Sequence, residues 1–184
     1  GYTGSENFNK ERRYGWFPSI SGGWVPTQYD WYRNLLPFNN FLKFRASWGR
    51  VGNDRLKDEN GNDIRFPYLT TLGNVSSTWG TGLAENRTGS MNLKWEVSTK
   101  TNFGIDARFF DDKVDMTVDF FHTKTTDIFQ RRANIPDEGG LSNVLPYANI
   151  GSMKSWGMDG TLAYTHTFNK DMALTVRGNF THAE

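Results

Sequence analysis

A two-residue period runs through most of this chain and limits what it can fold into. In "MALTVRGNFTH", residues 172–182, Met172, Leu174, Val176 and Phe180 fall on one face, with Gly178 between the last two. Ala173, Thr175, Arg177, Asn179 and Thr181 fall on the other. Side chains alternate across a β-strand, so this is a strand with one apolar and one polar side. The pattern recurs in 42–48, 101–109, 114–120 and 158–168. "YGWFPSISGGW", 14–24, is a sixth and weaker case, because Pro18 removes a ladder donor and marks a bulge or an edge. Helical periodicity is confined to a short piece around 28–36. Alternation alone leaves two architectures open. A soluble sandwich turns the apolar face inward, whereas a membrane barrel turns it to lipid and keeps the polar face for a wet lumen.

Composition removes other classes. With 21 basic and 20 acidic residues the formal charge is +1, which gives no basic surface for nucleic acid. There is no cysteine, hence no disulfide framework and no thiolate metal site. Mean hydropathy is −0.65. Apolar runs such as 162–164 stay far short of the roughly 20 residues of a transmembrane helix. Barrel strands carry too weak a signal for hydropathy to exclude them. No secretory leader is visible in "GYTGSENFNKERRYG".

The connections separate the two architectures better than the strands do. Only "DDK" (111–113) and "NKD" (169–171) join two of the strand pairs, while the opposite ends are bridged by 53–98 and 131–149. Short turns at one end and long loops at the other is the asymmetry of an outer-membrane barrel, so the turns are expected to be periplasmic and the loops extracellular. The link 25–41 falls on the short-turn side and is long for it. Arg177 lies five residues above its turn, roughly 12 Å up a tilted strand, where facing lipid costs about 2–4 kcal/mol. Arg45, Asp106 and Asp119 are similarly deep and also fall on the polar parity. In a barrel these four are lumen-facing, and Leu174 and Val176 are lipid-facing.

Local motifs supply no chemistry. "KDENGND", 57–63, lacks the distal glutamate of a calcium loop, and Asn60-Gly61 reads as a hairpin tip. Gly80 and Gly82 after Trp79 lack the third glycine of a dinucleotide loop and read as part of a mobile loop. "NVS", "NRT" and "NFT" match glycosylation sequons, which would carry no meaning if the chain is part of a bacterial outer-membrane barrel. His122, His166 and His182 sit on the apolar parity without clustered carboxylates. No nucleophile–base pair or phosphate loop can be built, so neither an enzyme nor a cofactor is expected. Trp16, Trp24, Trp48, Phe110, Tyr164 and Phe168 lie near strand ends, as an aromatic girdle requires. Trp48 and Trp79 also suit stacking on sugar rings.

Four blocks, "RYGWFPSISGGW" (13–24), "LKFRASWGRVGND" (42–54), "LKWEVSTKTNFGIDARFF" (93–110) and "NIGSMKSWGMDG" (149–160), resemble the SusC/RagA-like TonB-dependent transporters of Bacteroidota in content, order and spacing. The resemblance implies an internal fragment of a 22-stranded outer-membrane barrel, about six to seven strands of it, with the plug domain and TonB box absent from this chain. It further implies import of oligosaccharides or peptides, contact with membrane lipid and lipopolysaccharide, a SusD-like surface lipoprotein as partner, and coupling to the TonB complex through the missing N-terminal region. Recognition is usually carried by loops on a rigid scaffold, so Tyr68, Trp79 and Tyr147 are the expected substrate or partner contacts. A soluble β-sandwich that binds carbohydrate is the alternative reading.

Overall fold

A computed structural model describes residues 1–36, 38–58, 60–78, 80–132, 146–169 and 172–184. Trp79, most of 131–149 and two of the three "NKD" residues lie outside the described residues. The strands are β1 (Tyr2–Gly4), β2 (Tyr14–Trp16), β3 (Ser19–Trp24), β4 (Asn39–Asn53), β5 (Leu56–Lys57), β6 (Asp63–Ile64), β7 (Thr71–Ser77), β8 (Gly80–Arg87), β9 (Glu96–Phe109), β10 (Val114–Arg131), β11 (Tyr147–Asn169) and β12 (Met172–Ala183). One short helix, α1, spans Asp30–Leu35. Six strands form one sheet in the order β12-β11-β10-β9-β4-β3, and three two-stranded ribbons (β1-β2, β5-β6, β7-β8) accompany it.

All six strands read from alternation are present, and most run well past the alternating windows. β11 has 23 residues and β10 has 18, and of the 131–149 segment residue 131 belongs to β10 and 147–149 to β11. Tyr147, expected in that loop, is the first residue of β11. The 53–98 segment carries β5 to β8 and the start of β9. Its β5-β6 hairpin turns at Asn60-Gly61 as expected, with Gly61 at φ +83°. The Asp58 carboxylate accepts the Asn60 and Asn62 amides inside this turn. Those bonds, chiefly from Asn62, hold its pKa below the usual carboxylate value. Gly80 and Gly82, read as part of a mobile loop, lie in β8, which pairs with β7.

The chain divides into two compact units. The first comprises 1–18, 50–98 and 125–153. Its core is aromatic: Phe8 is fully buried, 5.2 Å from Trp95 and 6.3 Å from Phe129, ring centre to ring centre. Phe17 meets Trp95 edge-on at 5.1 Å, and Trp95 Nε1 donates to the Arg13 carbonyl. The Phe17 ring lies where side chains on Gly15 and Gly52 would be, so neither position admits a Cβ without displacing it. Pro18 falls in the break between β2, which pairs with β1, and β3, which pairs with β4.

The second unit comprises 19–49, 99–124 and 154–184. The β11-β12 register sets Thr161 opposite Asn179, Ala163 opposite Arg177 and Thr165 opposite Thr175. Leu162, Tyr164 and His166 oppose Gly178, Val176 and Leu174 on the other face. Cross-strand partners share a face, so the polar and apolar sets stay separate across the pair. The apolar face is uncovered, with Leu174 54%, Val176 60% and Ile20 71% exposed. A sandwich would cover it with a second sheet, and none does so among the described residues. At the short-turn end, Phe110, Asp111 and Asp112 all have positive φ. Asn40 of β4 holds that turn by accepting the Asp111 amide at 3.0 Å and donating to its carboxylate at 3.3 Å. The long link before β4 is compact: Pro26, Thr27 and Tyr32 are buried, and Arg33 Nε donates to the Thr27 carbonyl.

The Phe17–Gly52 contact yields a prediction. Gly52→Ala in the complete barrel should destabilise by about 1–3 kcal/mol through overpacking. Adding Phe17→Leu should recover part of that loss. Denaturant unfolding of the two single variants and the double variant checks it, and strict additivity would contradict the contact.

Candidate functional site

On the polar face of the second unit, β4, β9 and β10 bring three of the predicted residues together. Arg45 lies on β4 and places Nε 2.8 Å from Asp106 Oδ2 on β9. Its Nη2 reaches both Asp106 Oδ1 and Asp119 Oδ2 of β10, each at 3.0 Å. The guanidinium fork suits this bridging because it donates in several fixed directions at once. Gly104 of β9 makes the crossing possible. A Cβ there would collide with the Asp119 carboxylate and come within 2.8 Å of the Arg45 guanidinium. Arg108 and Asp115 form a second cross-strand pair at 3.3 Å.

The concave surface around this cluster encloses about 610 Å³ and includes Lys43, Asn102, Phe121 and Asp159. Thr165 N donates to the Lys113 carbonyl, which fixes the β10-β11 ladder near its turn. Carried along both strands, that ladder sets Asp119 opposite Asp159. Arg45 takes up one of these two carboxylates and leaves the other facing the cavity. Phe121 fills the space above Gly157, where a side chain would clash with its ring. Arg177 is not part of this cluster. It lies on β12 opposite Ala163 of β11 and shares the face of Thr175 and Asn179. The surface is polar, charged and partly apolar, able to hold hydrogen-bonding solutes but without a nucleophile, base or metal set. Among the described residues no group of acidic, His or Cys side chains is arranged to hold a metal ion.

Two of the predicted contact residues, Tyr68 and Tyr147, belong to the first unit. Tyr68 is half-buried in a turn where Arg87 donates to the carbonyls of Arg65, Phe66 and Leu69. The Gly89 amide donates to Thr70 Oγ1, and Ser90 N to the Pro67 carbonyl. Tyr147 is half-buried beside Ala148, and its neighbour Asn149 bridges three segments. Asn149 Nδ2 donates to the carbonyls of Lys94 and Asp127 at 2.7 Å each, and Oδ1 accepts the Lys94 amide. Lys94 Nζ also pairs with Asp127 at 2.9 Å, where Asp127 kinks β10 at φ +60°.

The motif blocks converge here. Arg13 and Phe17 come from the first block, Gly52 from the second, Lys94 and Trp95 from the third, Asn149 from the fourth. Sequence reasoning missed Gly104, Gly52 and Asn149 as positioning residues. The one available signal was glycine inside a strand, which often marks close approach of a neighbour.

Comparison with known proteins decides the family. The model of the TonB dependent receptor-like β-barrel matches residues 1–184. The chain belongs to this family. It is 33% identical to the TonB-dependent receptor P39 of Formosa agariphila over 98% of this chain and 16% of that relative. It is 27% identical to SusC of Bacteroides thetaiotaomicron, over 98% of this chain and 18% of that one. The RagAB peptide importer in its closed-closed state aligns with a TM-score of 0.78 and 26% identity, covering 98% of this chain and 19% of the importer chain. The chain therefore spans less than a fifth of these relatives' length, and its sheet is an open section of an outer-membrane TonB-dependent barrel. The resemblance to SusC/RagA-like proteins holds, and the relatives are receptors and importers, not enzymes.

Gly104 gives the test of the cluster. Gly104→Ala should displace Arg45 and cost about 1–3 kcal/mol, the scale of one or two charged hydrogen bonds. Arg45→Met should cost a similar amount and, by releasing Asp119 to swing aside, make Gly104→Ala less costly than in the wild type. Unfolding midpoints of the complete barrel check this, and an undiminished Gly104→Ala effect without Arg45 would contradict the crossing.

Proposed function

We propose that this segment forms part of the wall of an outer-membrane nutrient importer. Arg45, Asp106, Asp119 and Arg177 face its aqueous lumen, and Leu174 and Val176 face lipid. The observation that carries the reading is the strict separation of faces in a sheet of this family: every deep charge named here sits opposite an uncovered apolar surface. A charge at mid-depth on the lipid side would cost about 2–4 kcal/mol, so the polar face takes the water.

In this reading the long connections, 53–98 and 131–149, are extracellular and the short turns periplasmic. The imported solute is an oligosaccharide or a peptide; RagAB, a relative named as a peptide importer, favours the peptide. A SusD-like lipoprotein covers the mouth, and the TonB complex supplies energy through parts of the protein outside this chain. Tyr68, Trp79 and Tyr147 contact the solute or that lipoprotein. Tyr68 is best placed among them, because its turn is fixed by Arg87, Thr70 and Ser90.

Uptake in cells tests this. Cells expressing the complete protein should accumulate labelled peptide or oligosaccharide only while TonB is present. Tyr68→Ala should lower uptake several-fold at unchanged surface abundance. Uptake that survives loss of TonB would reject the transport reading. Unchanged uptake with Tyr68, Trp79 and Tyr147 all replaced by alanine would reject the contacts.

A further inference from the structure

We infer that Asp159 and Lys43 form the two ends of a site for a short peptide with free termini, its ammonium at Asp159 and its carboxylate at Lys43. This names a solute for the polar face and rests on the proposal that this face meets water. Both residues line the concave surface of about 610 Å³ in the second unit. Both are half-buried, and neither side chain has an ion pair or hydrogen bond among the described residues.

The flanking strands explain why each charge is left over. Asp159 of β11 lies between Asp119 of β10 and Thr181 of β12, its partner in the register. Asp119 is already taken by Arg45 at 3.0 Å, and the trio of Arg45, Asp106 and Asp119 carries one net negative charge. Asp159 adds a second negative charge at this end of the surface, with no cation directly opposite it on either strand. Lys43 is the reverse case. It lies two residues from Arg45 on β4, so its end of the surface is positive. Its stem leans across Gly23 of β3, with Cε 3.6 Å from where a side chain there would begin. Asp106 of β9 gives both oxygens to Arg45 and none to Lys43.

The separation of the two ends sets the size of the solute. β11 and β4 are three pairings apart in the sheet, through β10 and β9. At about 4.8 Å per pairing the two rows stand roughly 14 Å apart, the span of about four extended residues at ~3.4 Å each. The surface between them is low, because the Arg45–Asp119 crossing lies on Gly104 in place of a side chain. Asn102 offers an amide there and Phe121 an apolar ring. A peptide laid across the strands can bond Asn102 through its main chain and rest one side chain on Phe121. Hydrogen bonds between charged partners are roughly twice as strong as neutral ones, so the two ends favour a dipolar solute. A neutral sugar of equal length leaves both charges unanswered.

The test uses the complete barrel in a nonionic detergent, with tetra-alanine as probe and equilibrium dialysis as readout. Wild type should bind tetra-alanine at least fivefold more tightly than N-acetyl tetra-alanine, tetra-alanine amide or dialanine, which is too short to span the site. Asp159→Asn should weaken tetra-alanine at least fivefold while binding the acetylated peptide as wild type does. Lys43→Gln should weaken it as much while leaving the amide unchanged. Equal binding of all four peptides by wild type would overturn the site, as would a variant's loss that persists with the matching blocked peptide. Displacement of tetra-alanine by equimolar maltotetraose would also overturn it. These measurements fail independently of the transport reading, which loss of TonB tests by itself.

Discussion

Inside hydrocarbon, a backbone amide or carbonyl that lacks a partner costs several kcal/mol, so a β-structure crossing a membrane must pair strand to strand without interruption. That requirement organises this chain. The strands of its sheet are up to 23 residues long. Each pairing carries the two-residue period onto the next strand, so one slip would move lysines, arginines and aspartates into lipid. The residues that fix the register therefore matter more than their number suggests. Asn40 holds the left-handed turn at 110–112, and Arg45 ties β4, β9 and β10 across Gly104. Thr165 bonds the end of the β9-β10 turn to β11.

The polar face is thereby not a scatter of charges. Arg45 is held by two carboxylates, so the trio is tied together and carries one net negative charge rather than presenting a lone cation. Asp159 and Lys43 line the same concave surface. The first unit works differently. Its residues are held by an aromatic core and by Asn149, which joins Lys94 to Asp127 through backbone groups. The turn bearing Tyr68 is fixed by bonds from Arg87, Gly89 and Ser90.

Much of the sheet was legible because its signal is local. Alternation over seven to eleven residues, as in 42–48 or 172–182, gave strand type, face and the grouping of Arg45, Asp106 and Asp119. The short helix at 30–35 and the Asn60-Gly61 hairpin were local as well. Strand length was not: residues 147–157 mix polar and apolar side chains on both parities, so the true start of β11 was hidden. The Phe17–Gly52 and Trp95–Arg13 contacts join residues 35 and 82 positions apart, beyond the reach of any window. The 53–98 segment looked like open loop because its strands are two to eight residues long and rich in Gly, Asn and Ser.

The central claim is that one face of this sheet meets lipid and the other meets water. Single cysteines at Leu174 and Thr175 in the complete barrel, folded in native membranes, measure it directly. Position 174 should react with a lipid-soluble maleimide and resist a membrane-impermeant one, while 175 should show the reverse preference. Labelling of 174 by the impermeant reagent, with 175 protected, would contradict the account.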